Sequence, residues 1–260
     1  MISEHERPIA ELFAAATDWR LNRGEGDWSA VAELHELGSR EVLEQAIELT
    51  TAADPRARAR GADILGRLGI PQRAFPEECL AAVIRLATHD TAPLVLRAAA
   101  IALGHLPYPA STAVLGRMAD SEEPEIRRAV AFALGGRSDP EAVATLIHLA
   151  CDPVGPVREG ATLGLAELAA LDIPEVRPAL HQRLDDVDRD TRYAAIRGLA
   201  RCGDLRAVPP LIDSLGELPG NFAPLPQAQV LLKMPHEYGS LTTADLIAGL
   251  RSLVASRDAA

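Results

Sequence analysis

The sequence predicts an all-α chain, an α-solenoid of about six stacked helical pairs closed by a helical cap at each end. Two observations predict it. The first is composition: aromatic residues make up 3% of the chain and hydrophobic residues 48%, so the apolar content is mostly Ala, Leu, Val and Ile. That mixture builds helices and lacks the residues that favour strands. The second is a repeat. R-A-R-G-A-D-I-L-G from Arg58, R-R-A-V-A-F-A-L-G from Arg127, R-E-G-A-T-L-G-L-A from Arg158 and R-Y-A-A-I-R-G-L-A from Arg192 share one pattern: Arg, small residues, Leu seven positions on, then Gly or Ala. A fifth copy puts Leu96 in the Arg slot, and the anchors at 58, 96, 127, 158 and 192 lie 38, 31, 31 and 34 residues apart. A period near thirty on a helix-pair pattern is the mark of stacked repeats.

Three segments follow, in order. Residues 1–26 hold an N-terminal capping helix over Ile9 to Leu21, with Glu4, Glu6, Arg7 and Glu11 giving the polar outer face a terminal repeat needs, and a Gly24–Asp27 turn. Residues 27–218 form the array. Its first unit, Trp28 to Leu37 and Ser39 to Leu49, has the layout without the Arg. Asp54, Asp90, Asp120, Asp152 and Asp186 precede the five anchors, and Pro55, Pro93, Pro124 and Pro156 sit at helix starts, where a missing N–H does least harm. Second helices are clearest at Asp139 to Leu149 and Asp204 to Leu215, with apolar residues at i, i+3, i+4 and i+7. Residues 219–260 break the pattern: a proline-rich loop from Pro219 to Pro226, a short helix from Gln227 to Met234, and a last helix from Leu241 to Ser256 with Thr242, Thr243 and Asp245 as cap candidates. This tail reads either as a C-terminal cap or as a binding hook.

The net charge of −11 disfavours broad binding to nucleic acid or anionic membrane, though not a local basic stripe. Cys79, Cys151 and Cys202 form no CxxC pair and are expected as buried small apolar side chains in a reducing cytosol. The first residues are too polar for a signal peptide and no 18-residue apolar run exists, so a cytoplasmic protein is expected.

Seven histidines make no HExxH arrangement, and His35 and His148 are expected on helix surfaces. No GxSxG, P-loop or dinucleotide fingerprint occurs. Asp185, Asp186, Asp188 and Asp190 cluster in one inter-helix turn, as helix caps or, without EF-hand spacing, a calcium loop. No cofactor, no metal and no catalytic residue is expected.

The repeated segments resemble the HEAT repeat family, in its bacterial bilin-lyase-like variety, whose pattern is roughly D-P-x-V-R-x-A-A-x-x-L-G; the match covers about 27–218. The resemblance implies a right-handed superhelix of HEAT-like pairs. It also implies a structural ladder in which Asp120 with Arg127, Asp152 with Arg158 and Asp186 with Arg192 link neighbouring repeats through buried polar contacts. The order of the chain, and Asp188 to Asp204 above all, is similar to HEAT proteins encoded beside polymorphic toxins. Where many of those carry R-D-W-A-x-F, this chain has Arg158 to Leu163 without either aromatic, so no role of those aromatics carries over. Di-iron hydroxylases with HEAT repeats place His-Glu after the repeat Arg; here those slots hold Arg128-Ala129, Glu159-Gly160 and Tyr193-Ala194.

In HEAT arrays the helix bearing the Arg motif lines the concave face. Positions one, five and nine after each anchor then point outward: Asp63 and Arg67; Arg97, Ile101 and His105; Arg128 and Phe132; Glu159, Leu163 and Glu167; Tyr193, Arg197 and Arg201. This stripe holds more Arg than acid, and Arg and aromatics are enriched at interface hot spots. It is either a solvated face or the seat of a protein or peptide partner with an acidic surface. The expected function is a non-catalytic scaffold or adaptor, with a toxin-neutralising immunity protein as one form of it. The alternative is a lyase- or glycosylase-like HEAT enzyme acting on a bilin or nucleic acid.

Overall fold

The computed structural model describes residues 7–217, 225–233 and 242–258. Among these the chain forms fifteen α-helices and no strand, and it divides into two compact units, Met1–Ala133 and Leu134–Ala260. None of these helices is long and apolar enough to cross a membrane.

Unit 1 contains α1 (Ile9–Ala16), α2 (Trp28–Leu37), α3 (Arg40–Leu49), α4 (Pro55–Gly66), α5 (Pro76–His89), α6 (Pro93–His105), α7 (Pro109–Met118) and α8 (Pro124–Leu134), which ends at the boundary. The helices begin where the sequence supplies an acceptor or a proline. Asp27, Ser39 and Asp54 accept from the backbone N–H of Ser29, Val42 and Arg56, and prolines open α4, α5, α6 and α7. Two layers result: α2, α4 and α6 stack in one, and α3, α5 and α7 in the other. The core between them is aliphatic, with Leu34, Leu43, Ile64, Leu65 and Leu103 almost wholly buried.

Close approach within the motif layer depends on glycine. A Cβ on Gly66 would lie 2.8 Å from the Cα of Ala102, and one on Gly104 would lie 2.9 Å from the Cα of Ala133. The Gly or Ala that follows the repeat Leu is therefore the point of helix contact.

Unit 2 contains α9 (Pro140–Leu149), α10 (Gly155–Leu168), α11 (Val176–His181), α12 (Arg189–Arg201), α13 (Val208–Glu217), α14 (Leu225–Leu231) and α15 (Thr243–Asp258). α10, α12 and α14 stack in sequence, with α9, α11, α13 and α15 packed around them. The small-residue contact recurs, a Cβ on Gly198 falling 2.9 Å from the Cα of Ala166.

The anchor arginines do one job repeatedly. Each donates Nη1 to the two carbonyls six and five residues before it: Arg58 to Ala52 and Ala53, Arg127 to Ser121 and Glu122, Arg158 to Asp152 and Pro153, Arg192 to Asp186 and Val187. The turn before each motif helix is thus tied to that helix. With Nη1 committed to its own turn, the rest of the guanidinium reaches forward: Arg58 to Asp90 (Nε–Oδ2 2.6 Å) and Arg158 to Asp186 (Nη2–Oδ1 2.7 Å). Pairing within one repeat is thereby corrected at Arg158. The carboxylate it holds is that of Asp186, one repeat ahead, and Asp152 supplies it a backbone carbonyl.

Several expectations shift. α1 ends at Ala16, five residues early, where Thr17 turns its hydroxyl back onto the Phe13 carbonyl. Cys79 is buried, but Cys151 is exposed in the turn after α9 and Cys202 is half-buried. His35 is buried, not on the surface, with Nε2 3.0 Å from the carbonyl oxygen of Asp63. Glu4, Glu6 and most of the 219–226 loop lie outside the described residues, Leu225 and Pro226 already belonging to α14. Thr242 and Asp245 form a reciprocal cap at the start of α15.

Candidate functional site

The outward face of the motif layer in unit 1 holds two adjoining hollows. One, of about 390 Å³ between α2, α4 and α6, is lined by Trp28, His35, Asp63, Arg67, Leu94, Arg97, Ile101 and His105 among others. The second, of about 240 Å³ between α6 and α8, is lined by Arg97, Ile101, Glu125, Arg128, Ala129 and Phe132. Arg97 and Ile101 belong to both, so four expected contact residues, Arg97, Ile101, Arg128 and Phe132, come together on one surface. Helix geometry puts them there: Arg97, Ile101 and His105 recur every four residues along α6, and Arg128 and Phe132 do so along α8.

The face is apolar and cationic at once. Phe132 is 67% exposed, Trp28 47% and Leu94 40%, so three large apolar side chains face solvent here. The guanidinium groups of Arg67 and Arg97 make no hydrogen bond to described residues. Arg128 has only a loose contact with Glu125 at 4.0 Å, both side chains being largely solvated.

Behind the first hollow lies Arg60, 4% exposed. It donates to the carbonyl of Glu25 and stands over the Trp28 ring at 4.1 Å and the Trp19 ring at 5.8 Å. Its Nε and Nη1 make no hydrogen bond, and the Asp63 carboxylate is 3.6 Å from Nη1. Burial lowers the proton affinity of Arg60 despite the attraction of Asp63. Burial likewise pushes the Asp63 carboxyl up to about 6, against the pull of Arg60 and Arg97. The two shifts agree in direction: desolvation exceeds the attraction within this pair. His35 and His105 are both lowered, chiefly by burial, and stay neutral near pH 7.

Unit 2 is different. Glu159, Leu163 and Glu167 lie along α10, and Tyr193, Arg197 and Arg201 along α12. Arg197 and Arg201 both close on Glu167, Arg201 at 2.8 Å, so the two cations are already partnered across neighbouring helices. The Tyr193 ring lies 5.7 Å from the Arg189 guanidinium. Asp186 and Asp188 of the acidic turn accept backbone N–H groups at the start of α12, from Asp188 and Thr191 respectively. Among the described residues no group of three or more His, Cys, Asp or Glu side chains is placed to hold a metal ion.

Sequence reasoning missed Trp28, Leu94 and Arg60. The first two lie outside the positions counted from the anchors. Arg60 had a signal: two residues after an anchor the other copies carry Ala98, Ala129, Gly160 and Ala194, and here an Arg fills a small-residue slot.

The fold is shared with solved repeat proteins. YibA of Escherichia coli is 21% identical, with a TM-score of 0.71 over 95% of this chain and 93% of that one. The complex of CpcE and CpcF of phycocyanin lyase from Nostoc sp. PCC7120 is 19% identical, with a TM-score of 0.51 over 98% and 97%. A designed armadillo repeat protein is 17% identical, with a TM-score of 0.53 over 74% and 98%. These likenesses identify the all-α solenoid fold. Among curated proteins, no sequence matches the chain. HEAT repeats are matched at residues 46–125, 117–169 and 164–220, well over half of the sequence, and the chain therefore belongs to the HEAT repeat family.

Proposed function

We propose that the chain is a non-catalytic scaffold that holds a protein or peptide partner with an acidic surface, chiefly through the outward face of α4, α6 and α8. One observation carries the reading: Phe132, two-thirds exposed, shares a hollow with Arg97 and Arg128, neither of which is held in a close ion pair. Aromatic and arginine side chains together are what the energetic centres of protein interfaces are enriched in. Membership of a family built from stacked helical pairs supports it, as does a similarly folded neighbour seen as a complex of CpcE with CpcF.

In this reading Glu159, Leu163, Tyr193, Arg197 and Arg201 form a second, charge-compensated contact face. Asp120, Arg127, Asp152, Arg158, Asp186 and Arg192 hold repeats together and do not read the partner. Residues 1–26 and 219–260 cap an array over 27–218. A toxin-neutralising role is a narrower form of the same reading, decided by the identity of the partner.

The test is co-purification from the organism that carries the chain, with mass spectrometry, beside a Phe132→Ala, Arg97→Glu, Arg128→Glu variant. One stoichiometric protein, lost from the variant while its helical circular dichroism is unchanged, is the expected result. A bound chromophore or nucleic acid, or equal recovery by the variant, would overturn the reading.

A further inference from the structure

We propose that the hollow between α2, α4 and α6 seats an acidic side chain of the partner, its carboxylate between Arg67 and Arg97 and its apolar neighbours on Trp28, Leu94 and Ile101. This rests on the scaffold reading and names which chemistry the face selects.

Charge complementarity is the first argument. In a chain of net charge −11, this hollow gathers Arg67 and Arg97 at its wall and Arg60 behind it, against the single carboxylate of Asp63. With His35 and His105 neutral, the local balance is positive. Arg67 and Arg97 make no hydrogen bond to described residues and have their donors to spare, while buried Arg60, its Nε and Nη1 without a partner, adds positive charge behind the wall. A guanidinium next to low-dielectric walls is a stronger carboxylate receptor than one in open water.

The second argument is the walls. Trp28 and Leu94 are 47% and 40% exposed on the rim, and at about 390 Å³ the hollow has room for one acidic side chain with parts of its apolar neighbours. A free phosphate would leave that apolar rim unused, whereas a peptide with alternating Leu and Glu would fill it. The cationic second hollow, which shares Arg97, continues the same preference towards Phe132.

The chain reports on the hollow itself. Its two tryptophans, Trp19 and Trp28, both lie against Arg60, so intrinsic fluorescence follows the site. The probes are acetyl-(Leu-Glu-Glu)4-amide and acetyl-(Leu-Gln-Gln)4-amide, titrated into the full chain. The expected result is a saturable fluorescence change with the glutamate peptide and affinity lower by roughly tenfold or more for the glutamine peptide. Arg67→Gln with Arg97→Gln should remove that preference, and Arg117→Gln, at an exposed arginine of α7 in the other layer, should keep it. Equal affinity for the two peptides, no binding of either, or equal loss in Arg117→Gln would overturn the proposal. Failure here is separable from failure of the scaffold reading. If the native partner is still captured through Phe132 while the peptides do not bind, only the carboxylate seat falls. If the glutamate peptide binds through Arg67 and Arg97 but no native partner is recovered, the seat stands and the scaffold role falls.

Discussion

Arg158 on α10 closes on the carboxylate of Asp186, one repeat ahead, with Nη2–Oδ1 2.7 Å and Nε–Oδ2 2.9 Å. The two side chains are only 11% and 5% exposed, and Nη1 is used by the carbonyls of Asp152 and Pro153. Every part of this guanidinium is therefore committed to structure. Burial alone would raise the Asp186 carboxyl; the bond from Arg158 and the N–H of Asp188 outweigh it and hold it below the ordinary range. Arg158→Ala leaves the buried carboxylate with only the longer contact from Arg183 at 3.4 Å, and about 3–4 kcal/mol of stability, the lower part of the range for a broken buried pair, should be lost in urea unfolding. Arg192 bonds the Asp186 and Val187 carbonyls and no carboxylate among the described residues, so Arg192→Ala should cost less, about 1–3 kcal/mol. Equal losses at the two positions would show that the forward ion pair adds nothing.

Glu167 is the counterpart on the face of unit 2. It takes both Arg197 and Arg201, and all three side chains are roughly two-fifths exposed. Exposed ion pairs contribute little, so Glu167→Gln should change the melting temperature by no more than a degree or two. It should, however, release two cations. Binding of acetyl-(Leu-Glu-Glu)4-amide to unit 2 should strengthen in the variant, most visibly at low salt, and isothermal titration at two ionic strengths checks it.

These two cases show what the sequence made legible. The anchors and the outward positions follow from period and helix geometry, and Phe132 stands exposed where that geometry puts it. Glu167 precedes Arg197 and Arg201 by 30 and 34 residues, one repeat period, so their meeting is also periodic in origin. Counting charges on the stripe hid this, because a sum of signs does not say which cations face acids on the next helix. Arg60 was harder. The Arg in a small-residue slot is visible, but its surroundings come from Trp19 and Glu25 in an irregular turn that carries no repeat signal.

Gly104 tests the packing of the motif layer. A Cβ there would meet the Cα of Ala133 at 2.9 Å and its Cβ at 3.0 Å, both fixed by the helix that carries them. Backbone cannot yield as a flexible side chain does, so α6 and α8 must move apart. Gly104→Ala should destabilise by about 1–3 kcal/mol even though alanine is the better helix former. Gly136, whose added Cβ would meet nothing within 4 Å but whose φ is +76°, makes the contrast. Its substitution by alanine should cost about 1 kcal/mol through the backbone alone. Thermal unfolding of both variants decides whether contact or conformation dominates at Gly104.

Asp63 should make stability depend on pH in an unusual direction. Burial pushes its carboxyl up to about 6 from an ordinary 3.8, with Arg60 on its own helix and Arg67 just beyond the end of that helix, His35 on α2, and Arg97 and His105 on α6 as the charged or titratable groups around it. The folded state thus holds the proton more tightly than the unfolded chain does. The stability this proton contributes is complete below about pH 3.8 and is lost as pH rises through about 6. The carboxylates of the ladder, held low by their arginines, act the other way, so the effect must be isolated by difference. Stability of the wild type minus that of Asp63→Asn should fall by roughly 2–3 kcal/mol between pH 4 and 7.5, since each tenfold gain in proton affinity on folding corresponds to about 1.4 kcal/mol. Urea unfolding of both proteins across that range provides the measurement. A difference independent of pH would mean that Asp63 binds its proton as a solvated carboxylate does, and that Arg60 balances its burial in full.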